Sequence, residues 1–130
     1  MKKAHKYSDK YLSKLWRRAV LLTWECKCAY CGSDNVDALQ CHHIVRRRHK
    51  ILRHSWRNGV PGCHECHRFY HTKLGEQWLA VTVPDYGWLC EMEQVHFKQY
   101  AVDNCMTDSE FSQFRHDELI KQIEVMNERF

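Results

Sequence analysis

Apolar residues recur at helical spacing near both ends of the chain. Between Tyr11 and Leu22 they lie three or four positions apart, which predicts a helix over residues 8–23 with Ser8 as its N-cap and a basic outer face. A last helix is predicted from residue 108 or 109. Its apolar stripe, which suits either the core or the contact of a homodimer, contains Phe111, Phe114, Ile120, Ile123 and Met126.

Shorter segments lie between these two helices. Residues 38–45 are short and apolar and suit a strand. Residues 58–63 have turn chemistry that leads into or out of a second short strand, for which Pro61 favours an edge position. Gly75 and Pro84 interrupt the pattern farther along. Residues 46–57 are predicted to form a loop with a helical turn near Ile51. Three helical segments are predicted at 64–73, at 77–83 and from 86 or 88 to 102. The pattern indicates an α+β fold that is mostly helical.

Composition narrows the class of protein. A chain of 130 residues is typical of one domain, and its hydrophobic fraction of 44% argues against disorder. The sequence contains no apolar run of roughly 18 residues and no signal-peptide core, so we expect no contact with a membrane. In the reducing cytoplasm that we therefore expect, the eight cysteines act as metal ligands or buried thiols.

The positive charge is concentrated in two places. Residues 1–20 and 46–57 are strongly basic, whereas residues 90–130 are acidic, and such focused charge is typical of a protein that binds a polyanion. A solvated basic face is the alternative for the second segment. Its candidate phosphate-binding residues are Arg46, Arg47, Arg48, Lys50, Arg53 and Arg57.

Two Cys-x-x-Cys pairs have the spacing of zinc knuckles. Cys28 and Cys31 precede a glycine that permits a tight turn, and Cys63 and Cys66 repeat the spacing. Together they predict one structural Zn²⁺ with four thiolate ligands. We expect the other four cysteines to act as small buried hydrophobic residues: Cys26, Cys41, Cys90 and Cys105. Cys26 is also a possible substitute ligand for the Zn²⁺.

Four histidines surround the basic segment. His67 and His71 are four residues apart, so on a helix both imidazoles face one way and can bind one metal ion. His42 and His43 are adjacent, and in an ideal strand they point to opposite faces. One of them could then bind the metal while the other acts beside it, so we expect a second, catalytic metal.

The order of these motifs resembles the HNH endonucleases. A Cys-x-x-Cys-Gly, a His-His pair, an Asn and a Cys-x-x-Cys-His follow one another between residues 28 and 71. The resemblance implies a ββα-metal core of two strands and a helix around one divalent ion. It implies a single domain over residues 1–130, with the core at 28–71, a helix at 8–23 and a helical part at 76–130. The small size is most similar to phage-encoded members.

The resemblance also implies roles for individual residues. His43 would be the general base of phosphodiester hydrolysis, and Asn58 would hold the strand that carries it. The catalytic ion would be bound by His42, His67 and His71. Many family members carry Asp at the position of His42, and three imidazoles favour Zn²⁺ or Ni²⁺ over Mg²⁺, so the ion could be Mg²⁺, Mn²⁺, Ni²⁺ or Zn²⁺.

Several alternatives remain open from the sequence. Asn58 could instead be the left-handed turn residue of an Asn-Gly pair. The chain could be a zinc-stabilised DNA-binding or accessory protein of a phage or bacterial DNA-processing machine, without catalysis. In either case DNA is the expected partner and the bacterial cytoplasm the expected location. A homodimer is possible.

Overall fold

The structure is a computed structural model that describes residues 7–128. It contains six helices and two strands within that range, in agreement with the predicted α+β class. The elements are α1 (Asp9–Thr23), β1 (Gln40–His42), β2 (Val60–Gly62), α2 (His64–Tyr70), α3 (Lys73–Thr82), α4 (Tyr86–Glu93), α5 (Phe97–Asp103) and α6 (Asp108–Asn127). Short 3-10 turns lie at Val36–Ala38 and Trp56–Asn58. None of the helices in the described range has the length and hydropathy that a membrane span requires.

The two strands form a short antiparallel pair in front of α2. His42 lies opposite Val60, and Cys41 lies opposite Pro61. Each strand has only three residues, so the predicted strand over 38–45 is too long at both ends. Proline has no amide hydrogen to donate, and Pro61 is tolerated in β2 because each strand of a two-stranded sheet is an edge strand.

Helix α1 packs against α6 on one side of this sheet. The Ser8 hydroxyl accepts a hydrogen bond from the Tyr11 amide, as the predicted N-cap requires. The helix buries Leu12, Trp16 and Val20 together with residues of α6. The predicted stripe of α6 is correct for Phe111, Ile123 and Met126, whereas Phe114 is exposed and Leu119 takes its place in the core.

Two predictions about the middle helices are wrong. The helix predicted up to residue 102 is divided at residues 94–96 into α4 and α5, and this break lets Val95 and Phe97 both pack against the main core. Gly75 does not end a helix but lies in the first turn of α3. A Cβ atom there would lie 1.8 Å from the Phe69 carbonyl oxygen, so only glycine allows α3 to approach the end of α2.

Candidate functional site

The four knuckle cysteines come together between the 28–31 turn and the start of α2. Their Sγ atoms all lie within 4.8 Å of one another, and those of Cys31 and Cys63 are 3.7 Å apart. Tetrahedral Zn²⁺ with Zn–S bonds of about 2.3 Å requires Sγ atoms roughly 3.8 Å apart, so the cluster fits this ion. Gly32 has a φ of 78°, the left-handed conformation that closes the first knuckle.

Local hydrogen bonds prepare this cluster for a cation. Burial raises the pKa of the Cys28 thiol, but backbone hydrogen bonds from Cys31, Cys63 and Tyr30 outweigh it and lower the pKa to about 6. The Ala29 amide donates to the Pro61 carbonyl at 3.0 Å, which attaches the first knuckle to β2. The thiolate form of Cys28 is therefore favoured at neutral pH, whereas the pKa values of Cys31 and Cys66 are raised, so that these two thiols would lose their protons on binding a metal.

Three histidines form a second cluster on the other side of β1 from α1. One ring nitrogen of each of His42, His67 and His71 lies within 4.8 Å of the others. His67 lies in α2 and His71 caps its C-terminus, while His42 is the last residue of β1. Burial, followed by the proximity of His71 and His67, lowers the pKa of His42 to about 4. The imidazole of His42 is therefore neutral at neutral pH, and its nitrogen can present a lone pair to a cation shared with His67 and His71.

His43 projects away from this cluster and packs against α1. Its ring stacks on Trp16 with a centroid distance of 3.9 Å and an interplanar angle of 8°. Its Nε2 lies 2.9 Å from the Arg53 carbonyl oxygen, which can only accept a hydrogen bond. Nε2 therefore carries the proton and Nδ1 the lone pair. Burial lowers the pKa of His43, so the imidazole is neutral at neutral pH.

Asn58 is fully buried and joins the two ends of the loop after β1. Its Oδ1 accepts from the Val45 amide at 2.6 Å, and its Nδ2 donates to the carbonyls of Val45 and Leu52 at 3.0 and 3.1 Å. The left-handed turn is not adopted, because the only residues other than glycine with positive φ in the described chain are Glu25, Cys26 and Cys105. The side chain acts as a clamp on the loop.

Comparison with known protein families points to the segment that contains these cysteines and histidines. Residues 28–73 match the family model described as HNH endonuclease, and this range contains both knuckles, the His-His pair, Asn58 and His71. We refer to residues 28–73 below as the HNH domain, after the family model that they match. Proteins of this family are generally nucleases that act on DNA. No curated protein and no solved structure matches the chain.

The cysteines outside the HNH ligand cluster differ from prediction in part. Cys41 is half-buried beside Arg17, and burial raises its pKa to about 11, so it acts as an inert thiol. Cys26 is half-buried against the core and lies outside the four-cysteine cluster. The prediction is wrong for Cys90 and Cys105, which are exposed, because they lie on the outer side of α4 and after α5.

The basic loop of the HNH domain is largely paired with acidic side chains. Arg47 and Arg53 both contact Asp9 of α1, at 3.2 and 3.4 Å. Lys50 contacts Asp108 at 3.2 Å, and Arg57 lies 3.7 Å from Asp85 and 3.8 Å from Glu118. Arg46 and Arg48 are exposed and form no ion pair within residues 7–128. Phosphate binding by all six residues at once is therefore not prepared in this structure.

Arg46 shares an open cleft with the histidines. The cleft has a volume of about 420 Å³, and its lining includes His42, His43, Arg46 and His71 together with the acidic residues Glu76 and Glu93. The proposed base, two of the three candidate ligands and a free guanidinium therefore face one opening. This opening is the place where the HNH domain could receive a phosphodiester.

Three residues outside the HNH domain support it and were not singled out from the sequence. Trp16 stacks on His43 and donates from Nε1 to the Ser55 carbonyl at 2.8 Å. Asp9 contacts the loop as described. Arg115 is buried in α6, where Nε and Nη2 donate to the Ile51 carbonyl at 3.2 and 2.7 Å. The sequence did contain a signal for Arg115. It lies four residues after Phe111 and four before Leu119, on the apolar face of the helix, where a charged side chain needs a buried partner.

Proposed function

We propose that this chain is a metal-dependent DNA endonuclease that hydrolyses phosphodiester bonds with His43 as the general base. The observation that carries the proposal is that His43 lines the same cleft as His42 and His71, two members of the three-histidine cluster. The match to a family of nucleases supports the reaction class. A protein that only bound DNA would need neither the oriented imidazole nor the cluster.

The residues present fit a divalent cation at the histidine cluster. His42, His67 and His71 would hold it through three neutral imidazole nitrogens, a donor set that favours Zn²⁺, Ni²⁺ or Co²⁺ over Mg²⁺. When bound, such an ion stabilises negative charge on the phosphate and on the leaving oxygen. We propose that the four-cysteine cluster holds a separate, structural Zn²⁺.

The protein side chains supply the proton transfer and the alignment. Nδ1 of His43 takes a proton from a water molecule as the water oxygen attacks phosphorus. The bond from phosphorus to the 3′ oxygen breaks, and the 3′ oxygen takes up a proton from solvent. The hydrogen bond to the Arg53 carbonyl stabilises the imidazolium that forms, because Nε2–H continues to donate to this oxygen after Nδ1 is protonated. Arg46 faces the same cleft and would bind a phosphate oxygen. By family resemblance the products carry a 5′-phosphate and a 3′-hydroxyl.

Two variants test the assignment of roles. His43→Ala should keep the fold and the DNA affinity but lose roughly 10²–10⁴ in cleavage rate, because only the base is missing. His67→Ala should lose at least as much and recover in part at high metal concentration, since added metal refills a weakened site. His64→Ala is the matched control, as this exposed histidine of α2 lies outside the cluster.

The assay should compare supercoiled, linear and branched DNA with Mg²⁺, Mn²⁺, Ni²⁺ and Zn²⁺. Melting temperature and DNA affinity are measured on the same preparations. Cleavage by His43→Ala at the wild-type rate, with a metal that supports wild-type activity, would remove His43 from the reaction. Binding without cleavage under every condition would favour the DNA-binding or accessory alternative.

A further inference from the structure

A second cleft adjoins the one that contains the histidine cluster. It is lined by Arg46, Arg48, His49 and His96, and it shares Arg46 and Glu93 with the first cleft. His96 lies in the break between α4 and α5, beyond the HNH domain. The helical part that follows the domain therefore contributes directly to the surface beside the proposed reaction site.

The backbone turn at residues 46–49 directs the side chain of Arg47 to one side and those of Arg46 and Arg48 to the other. The His49 amide donates to the Arg46 carbonyl at 2.9 Å, which closes the turn. Arg47 extends towards α1 and pairs with Asp9, whereas Arg46 and Arg48 line the second cleft. Within residues 7–128 neither of these two guanidiniums has an acidic partner. Their charge is thus available to an anionic ligand.

His49 lines the same cleft and has a ring nitrogen without a hydrogen-bond partner in the described residues. Its Nδ1 is buried and has no hydrogen-bond partner within the described residues. A buried ring nitrogen without a partner is unfavourable unless a ligand or solvent satisfies it. The cleft therefore combines two free guanidiniums with two imidazoles, one of which lacks a partner.

We propose that this second cleft binds the backbone phosphate next to the scissile one on the same DNA strand. The proposal rests on the proposed nuclease function, and it assigns the flanking phosphate to Arg48, Arg46 and the two histidines. Guanidinium groups suit phosphate oxygens because their N–H donors match two oxygens at once. A phosphate carries no sequence information, so this contact positions the strand without selecting a base.

Glu93 borders both clefts and opposes the binding of an anion in either. Its carboxylate would repel a phosphate in either cleft. Glu93→Gln keeps the size of the side chain and removes the charge. We therefore expect it to tighten DNA binding about three- to fivefold at low salt, with a smaller effect at high salt because of screening.

The test measures the binding of a short duplex by the full chain without added divalent ions. Arg48→Ala should weaken binding by about tenfold and reduce the slope of log affinity against log salt by roughly one unit. Arg47→Ala is the matched control, because it removes the same charge one residue away from a side chain that pairs with Asp9. Its effect on the slope should be less than half as large.

Neutral methylphosphonate linkages, placed one at a time along the strand, locate the contact. At one position along the strand, which is next to the cleaved linkage where the DNA is cut, the substitution should weaken binding by the wild-type protein but have no further effect on binding by Arg48→Ala. Equal slopes for Arg48→Ala and Arg47→Ala, or additive losses at every position, would overturn the proposal. The measurement needs no cleavage, so DNA that is bound in this pattern but never cut would refute the nuclease function and leave the second cleft intact.

Discussion

Single buried polar side chains hold the loop that carries most of the site. Asn58 joins Val45 to Leu52, and Arg115 holds the Ile51 carbonyl from the opposite side. Both side chains are less than 5% exposed, so their hydrogen bonds cannot be replaced by water. The loop is therefore ordered by specific contacts, even though it is rich in exposed arginines.

Replacement of Asn58 should be costly. Asn58→Ala removes three hydrogen bonds and leaves the Val45 amide and two carbonyls buried without partners. We expect the free energy of unfolding to fall by about 3 kcal/mol, since each orphaned group costs about 1–3 kcal/mol. Urea denaturation of the zinc-loaded protein measures it, with the exposed Asn127→Ala as control. A loss below about 1 kcal/mol would show that the clamp is not needed.

At the scale of elements, close backbone contacts determine how the helices meet the sheet. Gly59 precedes β2 and lies against α1, where an added Cβ would be 2.5 Å from Cγ2 of Val20 and 2.7 Å from Cζ2 of Trp16. Trp16 is also the stacking partner of His43. The packing of α1 on the strand and the orientation of the proposed base therefore depend on the same contact.

Two glycine substitutions should have opposite effects on stability. Gly59→Ala should lower the free energy of unfolding by roughly 1–3 kcal/mol, because neither Val20 nor Trp16 has room to move in the core. Gly87→Ala should raise it by about 0.5–1 kcal/mol, because this glycine lies inside α4 and a Cβ there meets nothing within 4 Å. The denaturation midpoints of both variants test these two expectations. A Gly59→Ala protein as stable as Gly87→Ala would contradict the close packing of Gly59 against α1.

For the whole molecule, the four-cysteine cluster joins parts that bury little surface by themselves. It links the 28–31 turn to the start of α2, and the sheet between them has two strands of three residues each. Such short elements gain too little from burial alone, so a bound metal would contribute directly to folding.

Metal content and stability should change together. We predict one tightly bound zinc per chain, which Cys63→Ser should release with a clear fall in melting temperature, because a structural site contributes folding free energy. Cys90→Ser is the control, since Cys90 is exposed and outside the cluster. Elemental analysis and thermal unfolding are measured on both variants. A metal-free wild-type protein with an unchanged melting temperature in strong chelator would exclude the structural role.

The sequence by itself determined the features that depend on local spacing. Paired thiols two residues apart close a knuckle through one turn, and His67 and His71 share a helix face because they are four residues apart. The order of these motifs was enough to predict an HNH core at 28–71, and the family model matches residues 28–73. The N-cap of α1 and most of the stripe of α6 also follow from local rules.

Only the tertiary structure decided the features that depend on contacts between distant segments. The stack of His43 on Trp16, the pairing of Arg47 and Arg53 with Asp9, and the break before α5 join residues far apart in the chain. A charged residue in a sequence shows its charge but not whether an acid will neutralise it. That outcome depends on which helix packs beside the loop, because ion pairs and ring stacking require side chains within a few ångströms, and chain folding alone brings them there.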